Sequence, residues 1–348
     1  QTQQGGRASL PGPVRPPVTP TVWPTPLLAA VSFGALGFLA IGLVVGGPVG
    51  QLARGGLEAM PLVGLAMLAQ LGKQRLWARL LTWGWTTFLA ASVAMITVLM
   101  TVQLSPSGAK LYTSEAQATF GLTTVLVLLC LVSGVVTLTP GGRHLLGRVL
   151  PLDPNELTSK VALSLVTFIS LAFLVPLVVL GDPPLLKMVG QMKAGAPSQQ
   201  ELLAQTFYPL LWLVPGTFLA VGLGINRTAG QAAERLGLRG TRAHFIATGL
   251  LCGVFLVAVI HFISPPLDEL WSAAGLPATD QVAVEKLFAR FMTPLGVVAL
   301  SVSAGVGEEL AFRGVLQPRI GLFLTNLLFT TLHAWQYNVD GLVLIFCV

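Results

Sequence analysis

The amino-acid sequence predicts an all-α fold, a polytopic bundle of about eight or nine transmembrane helices. Three observations support this prediction. The 348 residues are 53% hydrophobic and only 10% charged, whereas soluble domains carry about 25% charged residues. Long apolar runs recur along the chain, and none shows the two-residue alternation of a barrel strand. Basic residues gather in short segments between the runs, as in membrane proteins that obey the positive-inside rule.

The apolar runs and the composition between them divide the chain into three parts. Residues 1–26 contain seven prolines and predict a flexible tail, because proline disfavours helix and strand. Residues 27–225 hold the N-terminal transmembrane helices, and residues 226–348 form a core whose motif-bearing part is 294–348. The runs lie at 27–46, 80–102, 118–138, 161–180, 203–225, 243–263, 294–316 and 320–333.

The distribution of Lys and Arg predicts part of the topology. The formal net charge of +6 comes from residues beside the apolar runs, so it indicates no nucleic-acid partner. Segments 139–160 and 226–242 are predicted to be cytoplasmic, and the acid-rich loop 264–293 to face outward. Residues 57–72 are apolar but short, and they either span the membrane or lie at its interface. The side of the N-terminus therefore stays open.

Residues 307–313, with the sequence GEELAFR, place two carboxylates and a guanidinium inside an apolar run. Ionisable groups at membrane depth are costly, so each one is a functional-site hypothesis. On a helix, Glu309 and Arg313 have the favourable spacing and order for an ion pair. Glu308 has no cation at that spacing and is the candidate general base.

His333 ends the next apolar run. If the two runs are antiparallel and joined through residues 317–321, His333 and Glu308 can share a water molecule. The alternative is that both glutamates form ion pairs with Arg313 and Arg319 at the membrane edge and that His333 is an interfacial histidine. Small residues four apart, Ser301 with Gly305 and Ser303 with Gly307, predict close packing against a neighbouring helix.

The pattern Glu308-Glu309-x-x-x-Arg313, followed by Phe329-x-x-x-His333, resembles the first two motifs of the CPBP family. This family contains CAAX proteases and bacteriocin-processing enzymes and is also called the Abi family. The flanking sequence FRGVLQPR and the upstream linker ERLGLR are similar as well. The motif-bearing resemblance covers roughly residues 290–348.

The resemblance implies a hydrolase, an intramembrane endopeptidase built from a helical bundle. Carried over by position, Glu308 and His333 activate the attacking water. Glu309 and Arg313 form the supporting pair, and Phe329 packs the site.

The resemblance leaves the cofactor open. The family is often described as metalloproteases, and a divalent metal such as Zn²⁺ with Glu308 and His333 among its ligands would polarise the water. In the other interpretation these two residues activate water directly, without a cofactor. The family's third element, a His-x-x-x-Asn on a later helix, does not follow His333, and the run that begins at Gly341 stops after eight residues. We therefore expect the protease core to be incomplete at its C-terminus.

The expected partners are membrane lipids and a peptide or protein substrate that is membrane-associated or lipidated, and the expected location is the bacterial plasma membrane. The alternative is a non-enzymatic membrane scaffold or bacteriocin-immunity protein, in which the ionisable groups only hold helices together. A proton-coupled transporter is disfavoured, because residues 27–180 contain no matching polar site in an apolar run.

Overall fold

The computed structural model describes residues 22–106, 113–150, 153, 155–191, 199–240 and 243–347. These residues are predominantly helical and form no β-strand, which confirms the all-α prediction. The α-helices are α1 Thr25–Val44, α2 Gly47–Leu71, α3 Leu76–Leu104, α4 Ser114–Val136, α5 Pro140–Val149, α6 Leu157–Leu180, α7 Pro184–Gln191, α8 Gln199–Ala220, α9 Ala229–Arg235, α10 Ala243–Ala273, α11 Gln281–Phe288, α12 Pro294–Val302, α13 Gln317–Leu332 and α14 Val339–Cys347. Short 3₁₀ helices cover Ala289–Phe291 and His333–Trp335, and Ser303–Leu316 is a π-helix.

Six helices among the described residues are long and apolar enough to cross a membrane, or seven if the two halves of α2 count as one span. The last of them is the continuous stretch Pro294–Trp335. Long apolar helices of this kind are typical of an integral membrane protein. Most of the predicted Pro-rich tail, residues 1–21, lies outside the described residues. The end of the tail is held by a backbone hydrogen bond from Trp23 N–H to Gly224 O.

Helix α2 contains the segment 57–72 that the sequence left ambiguous. The segment belongs to one helix that is bent by 47° between Leu57 and Ala59. Pro61 accounts for the bend, because it has no amide N–H to donate to the carbonyl of Leu57 and its ring crowds the preceding turn.

Helix α10 extends ten residues beyond the predicted end of its apolar run. Residues 264–273, the first part of the predicted helix-containing loop 264–293, continue α10 through Pro265 and Pro266. Long membrane helices tolerate prolines when the freed backbone groups find other partners. None of the described residues of α10 is buried, so its surface is available to lipid.

Helices α6 and α8 support the motif-bearing segment. Helix α13 packs on α6, where Leu163 and Val166 contact Ile320 and Leu328. The π-helical segment packs on α8, and Val221 joins Leu310 and Val315 in a second buried cluster. These contacts fix both arms of the segment 294–335 against the rest of the bundle.

The segment 294–335 reverses direction at Gly321. This residue has φ 80° and ψ 169°, a conformation outside the helical region. Phe312 and Phe329 lie on opposite sides of the reversal, and their ring centroids are 5.2 Å apart, whereas seventeen residues of straight helix would span about 25 Å. The predicted antiparallel arrangement, joined through residues 317–321, is confirmed.

Replacement of Gly321 by Ala is expected to lower the stability of the folded chain by about 1–3 kcal/mol, because this backbone region is essentially restricted to glycine. The measurement is the thermal unfolding midpoint of the protein in a neutral detergent. Gly305→Ala is the matched control, because nothing lies within 4 Å of its added Cβ. Equal midpoints for the two variants would contradict the assignment of Gly321 as an obligatory glycine.

Candidate active site

The two glutamates lie on the π-helical segment Ser303–Leu316. The amide of Gln317 donates to Phe312 O, the i→i+5 bond that defines this geometry. π-helical turns are rare, usually short, and frequent at functional sites. The sequence predicted an ordinary α-helix here, so the structure differs from the prediction in having the wider π-helical turn. Its consequence is that Glu308 and Arg313, five residues apart, come onto neighbouring positions.

Glu308 is half-buried and lies within electrostatic range of His333, Glu309 and Arg313. The hairpin explains this proximity, because Glu308 and His333 are thirteen and twelve residues from the reversal at Gly321. The structure therefore brings together the two residues that the sequence singled out.

The imidazole of His333 is oriented by its own helix. Its Nδ1 lies 2.8 Å from the carbonyl oxygen of Phe329. The carbonyl is free to accept because the backbone N–H of His333 donates instead to Thr330 O and Thr331 O, in the tighter 3₁₀ turn. A carbonyl only accepts, so Nδ1 carries the proton, and in the neutral ring Nε2 keeps its lone pair. Nε2 can then act as a base or a metal ligand.

Phe329 is the centre of an aromatic cluster between the two arms. Its ring meets Phe312 edge to face, and its centroid is 4.7 Å from that of His333. The guanidinium carbon of Arg313 lies 5.6 Å from the same ring, within cation–π range. The expected packing role of Phe329 agrees with these contacts.

Glu309 and Arg313 form the expected pair, with Nε and Oε2 3.7 Å apart. The Glu309 side chain is 55% exposed, so the pair contributes under about 1 kcal/mol to stability. Nη1 of Arg313 is buried and has no hydrogen-bond partner among the described residues. This donor therefore needs an acceptor from elsewhere.

An open cavity of about 540 Å³ lies on the Glu309 side of the π-helical segment. It is lined by the linker residues 234–238 and by one face of the segment, including Gly305, Glu309 and Arg313. The linker is fixed by a 2.7 Å hydrogen bond from Arg235 Nη1 to Gly314 O. In an α-helix that carbonyl would pair with residue 318, but Pro318 has no N–H. Arg235 satisfies it instead.

Close packing of small residues is confirmed at one of the two predicted pairs. A Cβ added at Gly307 would lie 2.9 Å from the Leu213 side chain of α8. The prediction for Gly305 is wrong, since its position faces open space and lines the cavity.

Arg319 does not pair with either glutamate in the described structure. Its Nη2 lies 3.4 Å from Ala220 O, at the end of α8. The interpretation of Glu308 as an edge-of-membrane ion pair therefore receives no support from Arg319.

One buried polar group was missed by the sequence reasoning. Asp340 accepts hydrogen bonds from Thr279 N–H (2.9 Å) and Thr279 Oγ1 (2.6 Å), and the same hydroxyl accepts from Asn338 N–H (2.8 Å). Asp340 follows soon after His333 in the sequence, and its partner lies on the predicted outer segment. The signal was a lone acid beside an apolar run, but its partner could not be identified from spacing.

The donor set at the site does not fit a complete zinc centre. Catalytic zinc takes three protein ligands and a water. Within the described ranges no three His, Cys, Asp or Glu side chains are grouped to hold a metal ion. Glu308 and His333 supply only two donors, so the reaction proposed below is written without a metal ion.

Comparison of the chain with protein-family models, with curated proteins and with solved structures gave no match. The functional interpretation therefore depends on the site geometry and on the motif resemblance alone.

Proposed function

We propose that this protein is an intramembrane endopeptidase that hydrolyses peptide bonds of a membrane-associated or lipidated peptide or protein. The observation that carries the proposal is that half-buried Glu308 lies within electrostatic range of His333, whose Nδ1 is hydrogen-bonded to Phe329 O. The CAAX-protease-like spacing of Glu308, Glu309, Arg313, Phe329 and His333 supports the same chemistry.

In the proposed reaction, Glu308 removes a proton from a water molecule while the Nε2 lone pair of His333 holds the water by its second hydrogen. The water oxygen attacks the carbonyl carbon and forms a tetrahedral intermediate. The C–N bond then breaks, and the proton on Glu308 moves to the leaving amine. Glu308 thus acts first as base and then as acid. The unpaired Nη1 of Arg313 is a donor suited to the developing oxyanion.

The proposed substrate is a membrane-associated peptide that enters the site from the lipid phase. The open cavity beside Glu309 and Arg313 combines charged groups with apolar walls, among them Leu236, Leu238 and Leu310. Such a lining suits an extended peptide segment leaving the lipid phase. Membrane lipids are the other partner, and the proposed location is the bacterial plasma membrane.

We also propose that the chain crosses the membrane eight or nine times, as the sequence predicts. Because the chain reverses at Gly321, the stretch Pro294–Trp335 supplies two spans instead of one. Adding the bent helix α2 gives eight, and counting the short apolar helix Phe207–Ala220 gives nine.

Hydrolysis can be tested with the full chain reconstituted in vesicles together with a library of transmembrane peptides. When the reaction runs in heavy-oxygen water, mass spectrometry should detect new C-termini that each carry one heavy oxygen atom from the solvent. Cleavage without label incorporation would exclude water as the nucleophile. Absence of cleavage of any library member, with helical content intact, would favour the non-enzymatic scaffold or immunity protein.

A further inference from the structure

Arg227, Arg235 and Arg319 lie close together where the linker 226–239 meets the hairpin, and a fourth arginine, Arg239, lies on the same linker. Arg227 donates through Nη1 to Val221 O, and Arg319 through Nη2 to the adjacent Ala220 O. Arg235 donates to Gly314 O. Nη1 of Arg239 lies 2.9 Å from where a Cβ of Gly230 would be. This arginine cluster lies on the side of the bundle predicted to be cytoplasmic.

The guanidinium groups of the cluster act on one another. Arg319 is within electrostatic range of Arg235 and Arg227. Burial lowers the pKa of Arg227 and also that of Arg235, and the charge of Arg227 lowers the pKa of Arg235 further. All remain cationic at neutral pH. The arrangement therefore concentrates positive charge that repels itself.

No carboxylate neutralises this charge within the part of the chain that the structure describes. The ion pairs there are Lys73–Glu156, Lys187–Asp182 and Arg313–Glu309. Glu156 acts on Arg227 and Arg319 at longer range, but it is already paired with Lys73. Glu234 is exposed and lies next to Arg235 in the sequence without forming an ion pair. Among the described residues, therefore, no carboxylate forms an ion pair with these arginines.

Capping of α8 explains only part of the cluster. Arg227 and Arg319 bind carbonyls at the C-terminal end of that helix, where cations are favourable. Each guanidinium has five N–H donors, and these bonds use few of them. Among the described residues, no nitrogen of the four arginines is both buried and without a partner. The remaining donors therefore reach solvent and are open to a ligand.

We propose that Arg227, Arg235 and Arg319 bind a phosphate group, carried by the headgroup of an anionic phospholipid in the cytoplasmic leaflet. Guanidinium forks match the oxygens of phosphate in geometry and charge. A basic pocket between helices at the cytoplasmic boundary is where such headgroups bind. Arg319 belongs to a predicted membrane hairpin, so the phosphate lies at lipid-headgroup depth. A free phosphate ion would bind through the same hydrogen bonds, and the experiment below distinguishes it from the phospholipid.

The test is a calorimetric titration of the full chain in neutral detergent with three probes: short-chain phosphatidylglycerol, short-chain phosphatidylcholine and inorganic phosphate. We expect phosphatidylglycerol to bind, and we expect higher salt to weaken the binding. Arg227→Gln and Arg235→Gln should each raise its dissociation constant about tenfold, the loss of one charge-assisted hydrogen bond. Arg227→Lys keeps the positive charge but loses the planar set of N–H donors. Its dissociation constant should lie between those of the unmodified chain and of Arg227→Gln.

Arg148→Gln is the matched control, because Arg148 is an exposed arginine of the 139–160 segment on the same predicted side. It should bind like the unmodified chain. The two Gln variants are measured separately, so that misfolding of one leaves the other to decide. Equal binding of phosphatidylcholine, or unchanged binding by both Gln variants, would overturn the site. Binding of inorganic phosphate as tight as that of phosphatidylglycerol would overturn the lipid assignment.

Discussion

Glu308→Gln is expected to reduce the rate of peptide hydrolysis by about 10²–10⁴-fold, the usual contribution of a positioned general base. The change keeps the size of the side chain and removes its ability to take a proton. Glu308 lies within electrostatic range of His333 and also of the pair formed by Glu309 and Arg313. The measurement is the initial rate of cleavage of a peptide selected from the library, with the protein reconstituted in vesicles.

Glu285→Gln is the control for this variant. Glu285 is an exposed carboxylate on α11, outside the hairpin segment 294–335, and its replacement should leave the rate unchanged. The thermal unfolding midpoint of Glu308→Gln should equal or exceed that of the unmodified chain, because a half-buried charge is removed. A rate within twofold of the unmodified protein would exclude Glu308 as the base.

His333→Gln is expected to lower the same rate by about 10²–10³-fold. The side-chain amide can still donate to Phe329 O, which keeps the end of α13 in place, but its carbonyl oxygen is far less basic than the Nε2 lone pair that holds the water. The double variant with Glu308→Gln should lose little more than the worse single variant, since the two residues act on one water molecule. Kinetics of both single variants and of the double variant measure this coupling.

His261→Gln supplies the comparison for His333. His261 is an exposed histidine of α10 whose ring packs edge to face on Phe262. Its replacement should not change the rate or its dependence on pH. The pH profile also separates chemistry from packing, because only loss of a proton-accepting group changes its shape. Strictly additive losses in the double variant would refute a shared water.

Much of the fold was predictable because membrane helices must satisfy their backbone hydrogen bonds within one segment. Apolar length therefore located the long apolar helices, and the reversal near Gly321 followed from a polar break between two runs. Apolar length did not give every helix end. The apolar run predicted over 243–263 stops before Pro265 and Pro266, yet α10 continues through both.

The candidate site was predictable in part for a similar reason. Charges in an apolar run are costly, so Glu308 and Arg313 stood out in the sequence. The π-helical turn had no local signal, since the sequence there predicted an ordinary α-helix. The linker arginine at 235 was also missed, since its acceptor, Gly314 O, lies 79 residues away.

The hydrogen bond between Arg235 and Gly314 has a mechanical consequence. It ties the seven-residue helix α9 to the π-helical turn that carries both glutamates. A force or a bound molecule that displaces the linker must either break this bond or rotate the glutamate-bearing turn with it. In the proposed topology, an event at the linker is therefore physically connected to the proposed catalytic residues.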